Sequence, residues 1–258
     1  MTDMSRSLRA AVFATYAAVI VAWQVVGAAT FKHPTSLFPP PSRIFSFIWE
    51  TREGLTTAAG RTLHEAAVGL LLAFIVGVIV AIAGDHFRRL GNALYRSALI
   101  LYGLPIVAIA PVLVTWFGPG MSSKIGVAFL GSFFPIIVNL TQALRETDAR
   151  TLELARVSGA SRLQVLWRFR LPYTLPGLFA ALQIAAPGAF IGALLAEWIG
   201  ANAGLGVLMI YAMFEFQVVY LWGTIFVATA IAGTLFLIFR VAGHFAAPWH
   251  ASSRGDAL

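Results

Sequence analysis

The residues of this chain that can do chemistry are few, and their spacing excludes most of the reactions they suggest. His64-Glu65 opens like a zinc-protease helix, but that site needs a second histidine four residues after the first, and residue 68 is Val68. His33, His64, His86, His244 and His250 are scattered near the ends of apolar runs and do not cluster as metal ligands. A phosphate-cradling loop ends in Gly-Lys-Ser/Thr, whereas Lys32 follows Phe31 and Lys124 follows Ser123. No Gly-x-Ser-x-Gly nucleophile elbow occurs. Without cysteine, neither a disulfide framework nor a thiolate metal site exists. The chain therefore reads as no enzyme, with no catalytic, cofactor-binding or metal-binding residues. Glu197 is the best-placed ionisable group, because it bounds the uncharged run Leu171 to Ala196. As a mid-bilayer carboxylate it would carry ions or protons in a secondary transporter or channel. At the membrane surface it would instead cap the turn before Gly200. The second role is favoured, since a charge in hydrocarbon is costly.

The elements that position these groups follow from composition. Hydrophobic residues make up 59% of the 258, charged residues 11%, and mean hydropathy is +0.81. A soluble domain has about a quarter charged residues, so an integral membrane protein is the expected class. The net charge of +7 does not indicate nucleic-acid binding. The basic residues lie in short gaps between long apolar runs and are not gathered on one soluble face.

Crossing a bilayer core takes about 20 apolar residues. Six runs meet that length, and the expected spans cover about 10–31, 63–84, 97–118, 125–144, 173–196 and 217–240. The first run has a basic start and small residues near Gly27 to Ala29, but it is longer than the 7–15 residues of a signal peptide, so it reads as an uncleaved span. Trp198 to Phe214 is shorter and opens with Gly200, Gly204 and Gly206, which predicts a glycine-rich turn and a short helix that does not fully cross. With the N-terminus inside, 13 of the 18 basic residues fall on the cytoplasmic side, as the positive-inside rule requires. The expected organisation is a cytoplasmic N-terminus (1–9), a transmembrane domain (10–246) and a cytoplasmic tail (247–258). The fold class is an all-α integral membrane protein with six transmembrane helices and both termini in the cytoplasm.

Between the first two spans, Pro39-Pro40-Pro41-Ser42 predicts a short helix capped by Ser42, either interfacial or packed on the spans. The second span repeats small residues at Gly69, Ala73, Gly77 and Ala81, and the fifth does so at Gly188 and Gly192. Small residues let membrane helices approach closely, here chiefly within the chain. Pro105, Pro111, Pro135 and Pro187 each favour a bend. Bends of this kind shape a cavity or fit neighbouring helices.

The segment 145–172 is too polar for lipid. Thr147 or Asp148 can cap a helix running to about Ser158, and Gly159 is placed to end it in the left-handed conformation. Ser161 with Gln164 forms a capping box that starts a second helix. Leu152, Ala155, Leu163, Leu166 and Phe169 supply apolar positions at helical spacing. The expected product is a helical hairpin under the membrane. It serves either as a docking surface for another protein or as a solvated loop held on the chain's own helix ends.

Glu153-Leu154-Ala155, then Gly159, then Leu171-Pro172 resembles the EAA motif of the membrane subunits of binding-protein-dependent ABC importers. Leu154 replaces the central alanine of that motif, and Phe169 replaces an isoleucine. The likeness extends from about Phe38 to Phe239, through stretches such as LFPPPSRIF, RTLHEAAVGLLLAFIVGV, PIVAIAPVLVTWFGPGMSSKI and AEWIGANAGLGVLM. These look like the nitrate, sulfonate and taurine permease branch, which is also similar to permeases for thiamine-precursor pyrimidines and riboflavin. The resemblance implies a MetI-like permease fold in the cytoplasmic (inner) membrane. It implies a pair of permease subunits, two separate ABC ATPase subunits that use ATP, and an external solute-binding protein. Glu153, Leu154, Ala155, Gly159, Ala160, Ser161, Leu171 and Pro172 would form the coupling hairpin that docks an ATPase. Pro105, Pro111, Gly188, Gly192 and Glu197 would lie along the translocation path.

Overall fold

A computed structural model describes residues 2–33, 36–146, 153–155 and 157–248. The expected cap at Thr147 or Asp148, Leu152 and most of the C-terminal tail lie outside the described residues. The helices are α1 (Thr2–Thr30), α2 (Pro41–Glu50), α3 (Arg52–His86), α4 (Arg88–Tyr102), α5 (Ile106–Phe117) and α6 (Met121–Arg145). After the hairpin come α7 (Arg162–Val165), a π-helical turn (Leu166–Arg170), α8 (Leu171–Trp198), α9 (Leu205–Phe214) and α10 (Val218–Ala246).

Among the described residues, five helices are long and apolar enough to cross a membrane: Ala10–Thr30, Arg52–His86, Met121–Arg145, Leu163–Trp198 and Val218–Ala246. The expected third span is not one helix. Its two halves, α4 and α5, meet at 100° across the break at Gly103, Leu104 and Pro105, and count as a sixth crossing only when taken together. Pro105 disfavours helical geometry at the residue before it and stands as the extended N-cap of α5. The ten-residue α9 spans about 15 Å at 1.5 Å per residue. That is half a hydrocarbon core, as its sequence indicated.

The centre of the bundle is made by α3, α6 and α8, held by small-residue seams. Gly69, Ala73, Gly77 and Ala81 of α3 are all buried. A Cβ on Gly69 would lie 2.5 Å from the Ala128 side chain, and one on Gly77 would lie 2.8 Å from Ile136. Gly188 and Gly192 do the same on α8: their Cβ positions fall 2.6 Å from the Gly131 carbonyl oxygen and 2.8 Å from that of Val127. In lipid this close van der Waals approach holds the helices together, because apolar burial drives nothing there. Gly192→Val is expected to force α6 and α8 apart and to cost about 1–3 kcal/mol. Loss of the monodisperse peak in detergent at lower temperature than the unaltered chain measures it.

The short helix α2 packs on α10. Ile44 is fully buried, the Phe47 ring lies 5.0 Å from that of Tyr220, and Phe45 and Trp49 are exposed. Ser42 does not cap it. Pro40 is the N-cap and Pro41 opens the helix, where a missing N–H costs nothing. Ser42 pairs instead with Gln24 of α1, whose Oε1 accepts from the Ser42 N–H at 3.0 Å and whose Nε2 donates to Ser42 Oγ at 2.9 Å. Beside this pair, Trp23 donates to the Pro39 carbonyl and packs against Phe38, Trp222 and Phe226. Elsewhere the stretch Ala10–Thr30 of α1 is almost bare, with 6% of its most apolar window buried.

Candidate functional site

The hairpin is built from short-range rules. Gly159 has φ +75°. This left-handed step lets the Ala160 N–H donate to the Ala155 carbonyl and the Ser158 N–H to that of Leu154, each at 3.0 Å, which closes the first helix. Among the described residues no atom beyond its chain neighbours lies within 4 Å of a Cβ placed on Gly159, so there it is the backbone conformation that demands glycine. The second helix starts on a closed capping box. The Ser161 N–H donates to Gln164 Oε1 at 2.8 Å, and the Gln164 N–H donates to Ser161 Oγ at 3.3 Å. A π-helical turn then joins α7 to α8, with the Leu171 N–H donating to the Leu166 carbonyl. Pro172 sits in the first turn of α8.

Ala155 faces inward and is buried. Glu153 and Ser161 are exposed, and Ala160, Leu171 and Pro172 are half-buried. Leu154, Val157, Leu163 and Trp167 are 69%, 83%, 64% and 63% exposed. Val157 and Trp167 are not among the apolar positions expected from helical spacing, and Trp167 lies within the π turn. An open cavity of about 810 Å³ separates the hairpin's Ala160, Val165 and Leu166 from Ile79, Ile82 and Ala83 of α3. Both roots of the hairpin are pinned by arginine. Arg170 forms an ion pair with Asp85. Arg145 donates to Asn92 Oδ1 at 2.7 Å and lies 4.9 Å from the Tyr95 ring.

A second polar group sits in the bundle. Glu197 is 1% exposed. Its Oε1 accepts from Thr62 Oγ1 at 2.7 Å, and its Oε2 accepts from the Gly206 N–H at 2.6 Å. Thr62 Oγ1 in turn accepts from the Leu205 N–H at 3.0 Å. Glu65 meets Glu197 side chain to side chain, and Lys124 lies close enough to both carboxylates to interact with them. Lys124 Nζ donates to the carbonyls of Pro119 and Gly200. Glu197 therefore does organise the glycine turn, from a position buried inside the protein. Lys124 is likewise a buried member of α6 and not a loop charge. The sequence signal for the cluster was the charge bounding each of three apolar runs, Glu65, Lys124 and Glu197. The other path candidates are dispersed: Gly188 and Gly192 face α6, whereas Pro105 and Pro111 lie on the exposed side of α4–α5.

Residues 43–249 match the family described as the binding-protein-dependent transport system inner membrane component. The chain belongs to this family. Among the relatives of this importer permease is a probable ABC transporter permease protein of Haemophilus influenzae, 35% identical over 84% of this chain and 89% of that protein. The formylaminopyrimidine transport permease ThiX of Halalkalibacterium halodurans is 31% identical over 90% of this chain and 92% of its own. The riboflavin transport system permease RibX of Chloroflexus aurantiacus is 30% identical over 91% and 88%. The MetNI methionine ABC transporter in an inward-facing conformation shares the fold, with TM-score 0.64 at 18% identity over 76% of this chain and 98% of that one. The permease is thus a multi-pass inner-membrane subunit of an ABC importer, with a MetI-like fold and no catalytic role of its own. A permease of this family works with ATPase and binding-protein partners. Family membership decides against a secondary transporter or channel.

Proposed function

We propose that the permease works as a homodimer whose two hairpins each dock into a cleft on one of two separate ATPase subunits. ATP is used there. Closure of the ATPases pulls the hairpins and turns the path from inward-open to outward-open, as a rigid lever acts on a bistable interface. The observation that carries this reading is the hairpin itself: a segment too polar for lipid that nevertheless exposes Leu154, Val157, Leu163 and Trp167. Exposed apolar side chains grouped on a polar element mark a partner surface. Glu153, Leu154, Ala155, Gly159, Ala160, Ser161, Leu171 and Pro172 belong to this coupling element. Pro105 and Pro111 border the path from the broken span. Gly188, Gly192 and Glu197 act beside it by holding the helices that form its wall.

The solute is small and arrives from an external binding protein. The names of the relatives support two classes, a nitrate-, sulfonate- or taurine-like anion and a heteroaromatic ring such as a thiamine-precursor pyrimidine or riboflavin. Uptake assays with one labelled member of each class decide between them.

Docking is tested with Leu154→Asp combined with Trp167→Asp. Membrane levels of the permease are expected to stay unchanged, while co-purification of the ATPase falls about tenfold or more, as for loss of apolar interface anchors. Retention of the ATPase by this variant overturns the reading. Both termini lie in the cytoplasm in this account. Ser36→Cys is therefore expected to react with an impermeant maleimide only from outside, and Ala160→Cys only from inside.

A further inference from the structure

The hairpin is covalently continuous with two crossings, α6 and α8, and these are locked to each other and to α3 by glycine seams. In the broken crossing, α5 packs on α6 and α8 through Ala110 and Leu113, and α4 meets α3 closely only at Gly84 and Gly91. On α4 the buried residues are Gly91 and Ala98, and on α5 they are Ala110 and Leu113. Most of its remaining side chains are exposed or half-buried. Two polar links run from the hairpin to the corner where α3 ends and α4 begins. At one root, Arg170 is paired with Asp85 at the end of α3, and both side chains are largely withdrawn from solvent, at 18% and 23% exposure. At the other root, Arg145 holds Asn92 and stacks over Tyr95, both on α4. The corner between these anchor points is rigid. A Cβ on Gly91 would fall 2.0 Å from the Gly84 carbonyl oxygen, so the end of α3 and the start of α4 pack backbone to backbone. Between corner and hairpin lies the cavity of about 810 Å³. On that side polar links connect the two parts, and the empty space leaves room for them to rock. The joint is a π-helical turn, a geometry that recurs at functional sites in helices.

We propose that Arg145 and Arg170 are positioning residues that clasp the α3–α4 corner from both roots of the hairpin, so that hairpin movement drives α4 of the broken span. This rests on the docking reading above. α5 is packed on α6 and α8 through Ala110 and Leu113, so the arginines act on α4, which hairpin movement reaches through the α3–α4 corner.

The chain has no cysteine, so a single introduced probe is the one thiol on the permease, read on its own band after the subunits are separated. In the assembled permease–ATPase complex, Ala93→Cys reports on α4 and Tyr173→Cys on the inner end of α8. Both positions are exposed. Reaction with a water-soluble maleimide is timed without nucleotide and after trapping with ATP and vanadate. Both rates are expected to change on trapping, by about tenfold for a two-state element shifted between its states. Asp85→Arg, Arg170→Asp and Arg145→Met should each abolish the change at position 93 and keep it at position 173. The swap of Asp85→Arg with Arg170→Asp should restore it at 93. If neither position responds in the otherwise unaltered chain, the docking reading falls and the clasp falls with it. If position 173 responds while position 93 does not, docking stands and the clasp is overturned. It is equally overturned if position 93 still responds in all three single variants, or if the swap leaves it silent.

Discussion

Gly159→Val is expected to abolish solute uptake while leaving the permease in the membrane at its normal level. At φ +75° an L-residue loses about 1–2 kcal/mol, and a β-branched side chain is a genuine outlier there. That penalty shifts the population of the closed hairpin about five- to thirtyfold. The surrounding space is open, so the effect is conformational and not steric. Gly159→Asn separates the two causes. Asparagine tolerates the left-handed region and meets no neighbour, so most uptake should survive in that variant. Uptake by membrane vesicles, normalised to immunoblot signal, reads both. Equal loss in the two variants would point to crowding by a partner surface at residue 159.

The second large effect is expected at Glu197. Glu197→Ala removes the acceptor for the Thr62 hydroxyl and for the Gly206 N–H, and it strips Lys124 of one of its two carboxylate neighbours. Breaking a buried charged network by deleting one partner costs about 3–5 kcal/mol. Thr62→Val leaves the Leu205 N–H unpaired and should cost less, about 1–3 kcal/mol. Gly204→Ala keeps every hydrogen-bonding group, yet its Cβ would fall 2.0 Å from Glu197 Oε1, at φ +131°. It is expected to be as damaging as Glu197→Ala. Thermal unfolding in nanodiscs ranks the three. A midpoint unchanged by Glu197→Ala would mean that the cluster contributes nothing to holding α9 on α3.

What was readable in the sequence is what short-range chemistry dictates. Uncharged runs of the right length marked the crossings, and small residues every fourth position marked the seams. Gly159 and the Ser161–Gln164 pair marked the hairpin's turn, because a left-handed step and a capping box each act within a few residues. The remainder depends on residues far apart in sequence. Leu104-Pro105 signalled a bend, but an uninterrupted apolar run concealed that α4 and α5 turn through 100°. Glu65, Lys124 and Glu197 each looked like a charge bounding an apolar run, and their burial follows only once α3, α6 and α8 have come together. The pairing of Arg170 with Asp85, 85 residues apart, leaves no local trace. Ser42 had the right residue type for a cap, but Pro40-Pro41 started the helix without it and Gln24 took its hydrogen bonds.

The near-nakedness of α1 also sets how this chain can vary. Its ties to the rest of the protein gather between Trp23 and Gly27, where Gly27 abuts the Pro40 backbone. The helix is 29 residues long, about 44 Å at 1.5 Å per residue, against a hydrocarbon thickness of about 30 Å. Before that short collar, the side chains of residues 10–22 answer to bilayer thickness or to a neighbouring chain. Any greasy residue serves equally well there as far as this chain's own interior is concerned, and evolutionary drift should run freely across residues 10–22 and stop at Trp23.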